Sequence, residues 1–378
     1  MKLYNKAILP TGFKASGIAS GIKKSGKLDL ALFLSEFSAK ASCLFTKNKI
    51  PAAPIILNQR YLKNNHLFRA IIANSGNANA FTGLHGLKDA ELCSKILAKN
   101  LGLKKESVLV ASTGIIGRKL PVPKIKSGVP ELIKKLSILG IAQAKKAIMT
   151  TDTFVKEVSL KFNIANKVIT VCGIAKGAGM IAPDMATLLS FIFTDANISQ
   201  GALDKALKAS VEESFNCITV DGCMSTNDSV MLLANGGARN NLIDSGKNLK
   251  LFTKGLEIVC LALAKKVVKD AEGASKFIQI KVSKAKNFKE AKLAALSIAN
   301  STLFKTAVYG ENPNFGRIVA ALGSSGIETQ EEKLKIKVSS LKKKDISVEV
   351  IINKGKASAT VYTSDLTPEY IKINAEYN

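Results

Sequence analysis

Two glycines, Gly177 and Gly179, stand two residues apart in Lys176-Gly-Ala-Gly-Met-Ile181, and Pro183-Asp184 interrupts the chain just before Met185-Ala-Thr-Leu-Leu189. That spacing makes a turn which neither a helix nor a strand interior would choose. It delivers one hydroxyl, Thr187, to the head of an apolar run. A core hydroxyl at the start of a buried strand or helix accounts for the pattern. A nucleophile that becomes a chain terminus when the Ala186–Thr187 bond is cut accounts for it too. Threonine is a weak nucleophile and needs a base. The only histidines are His66 and His85, both in polar or glycine-rich connecting sequence. Scission would supply a base in the freed α-amine of Thr187. Its ordinary pKa of about 7.7–8.0 leaves roughly 15% neutral at pH 7, and a nearby cation such as Lys176 lowers that pKa.

The segments Lys176–Ile181, Pro183 and Met185–Leu189 closely resemble the glutamate (ornithine) N-acetyltransferase family of arginine biosynthesis, and the resemblance recurs from Gly12 to Tyr377. It implies self-cleavage between Ala186 and Thr187, giving an α chain of residues 1–186 and a β chain of residues 187–378. The new N-terminal threonine would carry acetyl from N-acetylornithine to glutamate. The implied fold is α/β, a layered αββα-type sandwich of the N-terminal-nucleophile style with a smaller C-terminal α/β lobe. The implied particle is a heterotetramer of two α and two β chains. A self-cleaving aminopeptidase or amidohydrolase of the same fold, passing its acyl group to water, is the alternative.

Other residues fall around this centre. Val108–Ala111 reads as an inner strand leading into Ser112-Thr113-Gly114. A hydroxyl followed by glycine suits a plain tight turn, and it also suits an oxyanion hole, which needs a side-chain donor beside an unhindered backbone N–H. The resemblance assigns Thr113 and Gly114 to that hole. It places a substrate-binding threonine in Thr150-Thr-Asp-Thr153, with Thr153 preferred and Thr151 as the alternative. It gives Lys176 the substrate carboxylate, and Asn374 a further substrate contact. Asp270-Ala-Glu-Gly-Ala-Ser-Lys276 ends like a phosphate loop but lacks the first glycine; from the resemblance, Glu272 reads as a carboxylate for the substrate ammonium. Asp221 and Asp228 lack further ligands at metal-binding spacing, and no metal is expected. No cofactor is expected either, with acetyl-CoA left open as a co-substrate.

Bulk properties bound the rest. The chain of 378 residues is 47% apolar, enough for more than one lobe. No apolar run approaches the roughly 18–20 residues that span a bilayer, and no signal-like segment opens the chain, so a soluble cytoplasmic protein without membrane partners is expected. The net charge of +26 raises nucleic acid as a partner. Yet all but five of the 55 basic residues are scattered lysines, and tryptophan is absent. Bidentate phosphate and base contacts favour arginine, and stacking needs aromatics, so nucleic acid is not expected. The six cysteines show no paired spacing and read as reduced, mostly buried thiols.

Along the chain, an apolar region begins at Asp29–Leu34 and ends at Phe45. Phe68–Asn74 reads as a buried strand running into an asparagine-rich loop, Asn74–Ala80. Residues 88–99 read as a surface helix, and 130–148 as helical. Val158–Ile164 and Val168–Ile174 read as a hairpin about Ala165-Asn166. Leu203–Phe215 and Leu256–Val268 read as an amphipathic and a buried helix. Thr219–Asp228 and Gly310–Arg317 read as loops. Lys335–Ser339, Ile346–Ile352 and Ala357–Tyr362 alternate as strands. From the resemblance, Thr187→Ala leaves one uncut chain of 40.2 kDa without transfer activity. Intact-mass spectrometry and an acetyl-transfer assay check the two halves of that statement, and an active full-length chain would overturn it.

Overall fold

A computed structural model describes residues 1–65, 67–182 and 188–376. It divides into two units: Met1–Gly177 with Thr187–Val211 and Ser225–Leu263, and Ala178–Ala186 with Glu212–Met224 and Ala264–Asn378.

The first unit holds strands β1 (Lys2–Tyr4), β2 (Phe13–Ile18), β3 (Leu30–Phe45), β4 (Phe68–Asn77), β5 (Val108–Ile115), β6 (Lys156–Ile164), β7 (Lys167–Lys176), β8 (Leu189–Thr194) and β9 (Ser229–Ala234). They form one sheet in the order β1-β6-β7-β8-β9-β3-β4-β5, with β2 also on β3. The apolar region from residue 30 to 45 is thus a single strand, and it serves two halves of that sheet. Its first part pairs with β2 and β4, its last part with β9, and the register breaks between Leu34 and Ala39. Residues 36–38 are exposed at the break.

This bend turns the inner faces of the halves toward each other. The ring of Phe33 on β3 lies 5.1 Å from Phe191 and 5.2 Å from Phe193 on β8, and Phe13 on β2 lies 5.2 Å from Phe193. Helices cover the outer faces. Against the β2–β5 half lie α1 (Ala53–Asn64), α2 (Gly83–Leu101), α3 (Val122–Lys134) and α4 (Ile141–Ala147). The other half carries α6 (Gly246–Lys269), whose Val259 and Leu263 sit over Gly173 of β7. Between them in sequence is α5 (Gln200–Glu212). The result is a layered α/β arrangement, as expected. At the free edge, buried Asn58 of α1 stands in for a missing strand: its amide donates to the Val110 carbonyl at 2.7 Å and accepts the Val110 N–H at 3.0 Å.

Most expected elements formed. The β6–β7 hairpin turns at Ala165 and Asn166, both at positive φ (47° and 61°), as a two-residue loop requires. Three readings in this unit need correction. Residues 130–148 are not one helix: α3 ends at Lys134 and α4 begins at Ile141. Ser137 between them pairs with Ala15 of β2 by two backbone hydrogen bonds, and a Cβ on Gly140 would strike the Ala15 carbonyl. The segment 88–99 belongs to a longer helix that buries Ala90, Cys93 and Leu97 while leaving Leu92 43% exposed. Asn74–Asn77 remain strand and only 78–80 leave it. Asn74 Nδ2 donates to Asn77 O and Asn79 Nδ2 to Gly86 O, while Asn77 Nδ2 reaches the distant Arg118 and Lys119 carbonyls.

The second unit has a four-stranded sheet, β11-β12-β10-β13, of β10 (Phe277–Ala285), β11 (Lys335–Val338), β12 (Asp345–Ile351) and β13 (Ala357–Ser364). Alternate residues Ile346, Val348 and Val350 point inward as the sequence pattern requires. They meet Ala291, Ala294, Ala295 and Ile298 of α7 (Phe288–Ala299) in one core. Helices α8 (Thr302–Tyr309), α9 (Phe315–Gly323) and α10 (Pro368–Ala375) complete the unit. The Gly310–Arg317 loop is therefore shorter than expected, since Phe315, Gly316 and Arg317 open α9. Among the described residues no helix is long and apolar enough to cross a membrane. Phe33→Ala removes the ring that joins the two halves of the large sheet, and we expect a loss of about 3–5 kcal/mol, measured by urea unfolding.

Candidate active site

Strand β5 runs parallel to β4, with Thr113 opposite Ser75 and Gly114 opposite Gly76. The backbones come so close that a Cβ on Gly114 would lie 2.4 Å from the Gly76 carbonyl carbon, and Gly114 itself sits at φ 133°. Only glycine meets both conditions. Lys176 arrives from the other half of the sheet, at the end of β7 opposite Leu189 of β8. Its ammonium donates to Thr113 Oγ1 at 3.2 Å. The two residues are 4% and 5% exposed. Thus the hydroxyl expected in an oxyanion hole and the cation expected at the substrate carboxylate are brought into contact across 63 positions of sequence.

A carboxylate that the sequence reading passed over holds this cation end of β7. Asp152 Oδ1 accepts the Gly177 N–H at 2.7 Å and the Lys156 ammonium at 2.5 Å, and Oδ2 accepts the Thr150 N–H at 2.9 Å. The side chains of Asp152 and Lys156 are wholly buried. Burial alone would push the Asp152 carboxyl up; the charges of Lys176 and Lys156 and the hydrogen bonds outweigh it and hold the group at about 2. Lys23 stands close by, with its ammonium on the carbonyls of Leu28 (2.9 Å) and Met149 (2.7 Å). Burial, aided by the Lys176 charge, lowers its pKa to about 8. The local signal in sequence was only the hydroxyl-rich cluster of residues 150–153. Thr153, next to Asp152, lies on an exposed bend, and Thr151 is half-buried.

In the second unit the other expected residues also meet. Asn374 of α10 donates to Glu272 Oε2 at 3.0 Å. The Glu272 N–H donates to the Ala178 carbonyl at 3.0 Å, and a Cβ on Gly179 would lie 2.1 Å from Glu272 Oε2. Gly179 is therefore a glycine because the carboxylate occupies the place of its side chain. Asp221 receives the N–H groups of Met180 (2.7 Å) and Ile181 (2.9 Å) and the Tyr370 hydroxyl (3.2 Å). Met180 is held at φ 57°. In the first unit Asp228 accepts the Leu188 N–H at 3.0 Å. Asp221 thus holds the backbone before residue 183 by two amides, and Asp228 holds that after residue 187 by one oxygen. Thr187 and Ala186 themselves lie outside the described residues, as does His66.

His85 is exposed on α2. Burial pushes the Cys93, Cys172 and Cys217 thiols up to about 12, far from a reactive thiolate. Cys223 alone of the six cysteines is exposed.

The sequence model of the ArgJ family matches residues 14–378. The chain belongs to the ArgJ family. Among its ArgJ relatives, the arginine biosynthesis bifunctional protein of Caldanaerobacter subterraneus is 45% identical, over 99% of this chain and 99% of its own length. That of Geobacter sulfurreducens is 42% identical over 97% and 98%. Among solved structures, the ArgJ protein of Bacillus halodurans is 36% identical, with a TM-score of 0.46 over 49% of this chain and 98% of its own. The ornithine acetyltransferase of Mycobacterium tuberculosis, solved with ornithine, is 39% identical, with a TM-score of 0.45 over 50% and 99%.

Because Gly114 packs bare against Gly76, Gly114→Ala should destabilise the ArgJ chain by about 2–4 kcal/mol through strain and overpacking. Urea unfolding reads that loss, and an unchanged midpoint would contradict the packing.

Proposed function

We infer that this chain is an ornithine acetyltransferase of arginine biosynthesis, moving acetyl from N-acetylornithine to glutamate. Membership of the ArgJ family along nearly the whole chain carries this reading. The contact between Lys176 and Thr113, with Gly114 next in the chain, agrees with it.

The proposed cycle has two parts. In the first, Thr187 Oγ attacks the carbonyl of Ala186, its proton passes to the peptide nitrogen, and the C–N bond breaks, freeing the Thr187 α-amine and leaving an ester on Oγ. Water hydrolyses the ester, which restores the hydroxyl and leaves residues 1–186 and 187–378 as separate chains. In the second, that amine takes the proton of Thr187 Oγ as the oxygen attacks the acetyl carbonyl of N-acetylornithine. The acetyl C–N bond breaks, ornithine leaves with the proton on its amine, and acetyl remains as an ester on Thr187. The glutamate amine then attacks the ester, Thr187 Oγ recovers a proton, and N-acetylglutamate departs. Thr113 and Gly114 hold the oxyanion at each tetrahedral stage, where one donor is typically worth about 10²–10³ in turnover. Lys176 takes the substrate carboxylate, Glu272 its ammonium, and Asn374 and Thr153 complete the contacts.

This chemistry asks for no cofactor or metal, and the use of acetyl-CoA as a second acetyl donor is left open. The working particle in this reading is a cytoplasmic heterotetramer of two α and two β chains. Incubation with N-acetylornithine and glutamate should yield N-acetylglutamate and ornithine in equal amounts, measured by chromatography with mass detection. Release of acetate without N-acetylglutamate would replace the transferase by a hydrolase of the same fold.

A further inference from the structure

The carboxylate of Asp152 gathers three segments at the point where Lys176 leaves β7. It receives the N–H of Gly177, the residue after Lys176, and the N–H of Thr150, and it pairs with Lys156. Lys156 in turn lies opposite Ala175 in the β6–β7 ladder, one residue before Lys176. A carboxylate that only balanced Lys156 would need none of the bonds to the turn. A carboxylate that only capped the 150–153 turn would not reach across to Gly177. Asp152 also immediately precedes Thr153.

We propose that Asp152 is a positioning residue, which sets the Lys176 ammonium against Thr113 and fixes the Gly177 turn, and so acts on acetyl transfer through Lys176. This rests on the transferase reading above. Removing one partner of a buried ion pair strands the other, whereas replacing both by uncharged groups is often tolerated. Asp152→Asn alone therefore confuses folding with function. Asp152→Asn combined with Lys156→Met removes the stranded Lys156 charge, and Lys156→Met alone, in which Asp152 keeps the Lys176 charge nearby, provides the reference.

We expect the double variant to keep a thermal midpoint near that of K156M. Its kcat/KM for transfer should be at least about tenfold lower than that of K156M, with KM for the carboxylate-bearing substrates rising more than kcat falls. Values of kcat/KM within about twofold of K156M would overturn the proposal, and a loss confined to kcat with KM unchanged would overturn the route through Lys176. Should the double variant fail to fold, D152E keeps the charge and moves the carboxylate by one methylene, and normal KM and kcat in D152E would be equally fatal. Competitive labelling of Lys176 with acetic anhydride, read by peptide mass spectrometry, reports the setting of Lys176 whatever reaction the protein catalyses. A severalfold change between the double variant and K156M is expected, and no change overturns the role. A wild-type chain that shows no transfer would refute the proposed function while this labelling still decides on Asp152.

Discussion

One strand is shared by two half-sheets, and the placement of the site in the first unit follows from that sharing. Strand β3 gives its first residues to β2 and β4 and its last to β9. The register of β3 on β4 breaks between Leu34 and Ala39, and such an interruption bends the strand. The bend lets Phe33 pack on Phe191 and Phe193, so the same fold of the sheet that buries aromatic surface also sets β5 against the end of β7. Thr113 and Lys176 touch for that reason. The hydrophobic core and the polar contact are two results of one closure.

Closure creates an electrostatic problem, because it buries cations in a chain already far from neutrality. Lys156 and Lys176 are both nearly inaccessible. An uncompensated buried charge is costly, and Asp152 supplies the opposite charge while its remaining lone pairs take backbone N–H groups. Elsewhere the same device recurs with neutral partners. Asp221 collects the amides of Met180 and Ile181, and Asp228 takes that of Leu188. In the second unit, buried Lys305 directs its ammonium at the Val220 carbonyl and the Thr363 hydroxyl, and burial draws its pKa down to about 8. The aspartates serve as fixed acceptors that hold irregular backbone in place.

Glycines of the motif and of β5 have separate duties that their spacing could not distinguish. Gly177 holds φ at 152° and donates its N–H to Asp152. Gly179 is bare because the Glu272 carboxylate lies where its side chain would be. Gly114 is bare because another backbone passes within contact. The first is a conformational requirement, the second is steric, and Gly114 answers to both; the steric limits are imposed by segments remote in sequence.

Local patterns were legible wherever the determinant lay within a few residues. The alternation in β12, the two-residue turn at Ala165-Asn166 and the apolar run of β4 all appeared where the side-chain period required them. The motif from Lys176 to Leu189 was enough to indicate the family, since its residue types and order are specific. Tertiary structure alone decided that 135–140 would leave the helix to pair with Ala15, because that bond belongs to a strand more than a hundred residues away. It alone decided that Phe315 would begin a helix, and that Asp152, met in sequence only as a neighbour of Thr151 and Thr153, would become the counter-charge to Lys156 and Lys176. Sequence specifies which groups carry charge, hydroxyl or no side chain; which of them meet depends on how the sheet closes, and that is settled by burial summed over the whole chain.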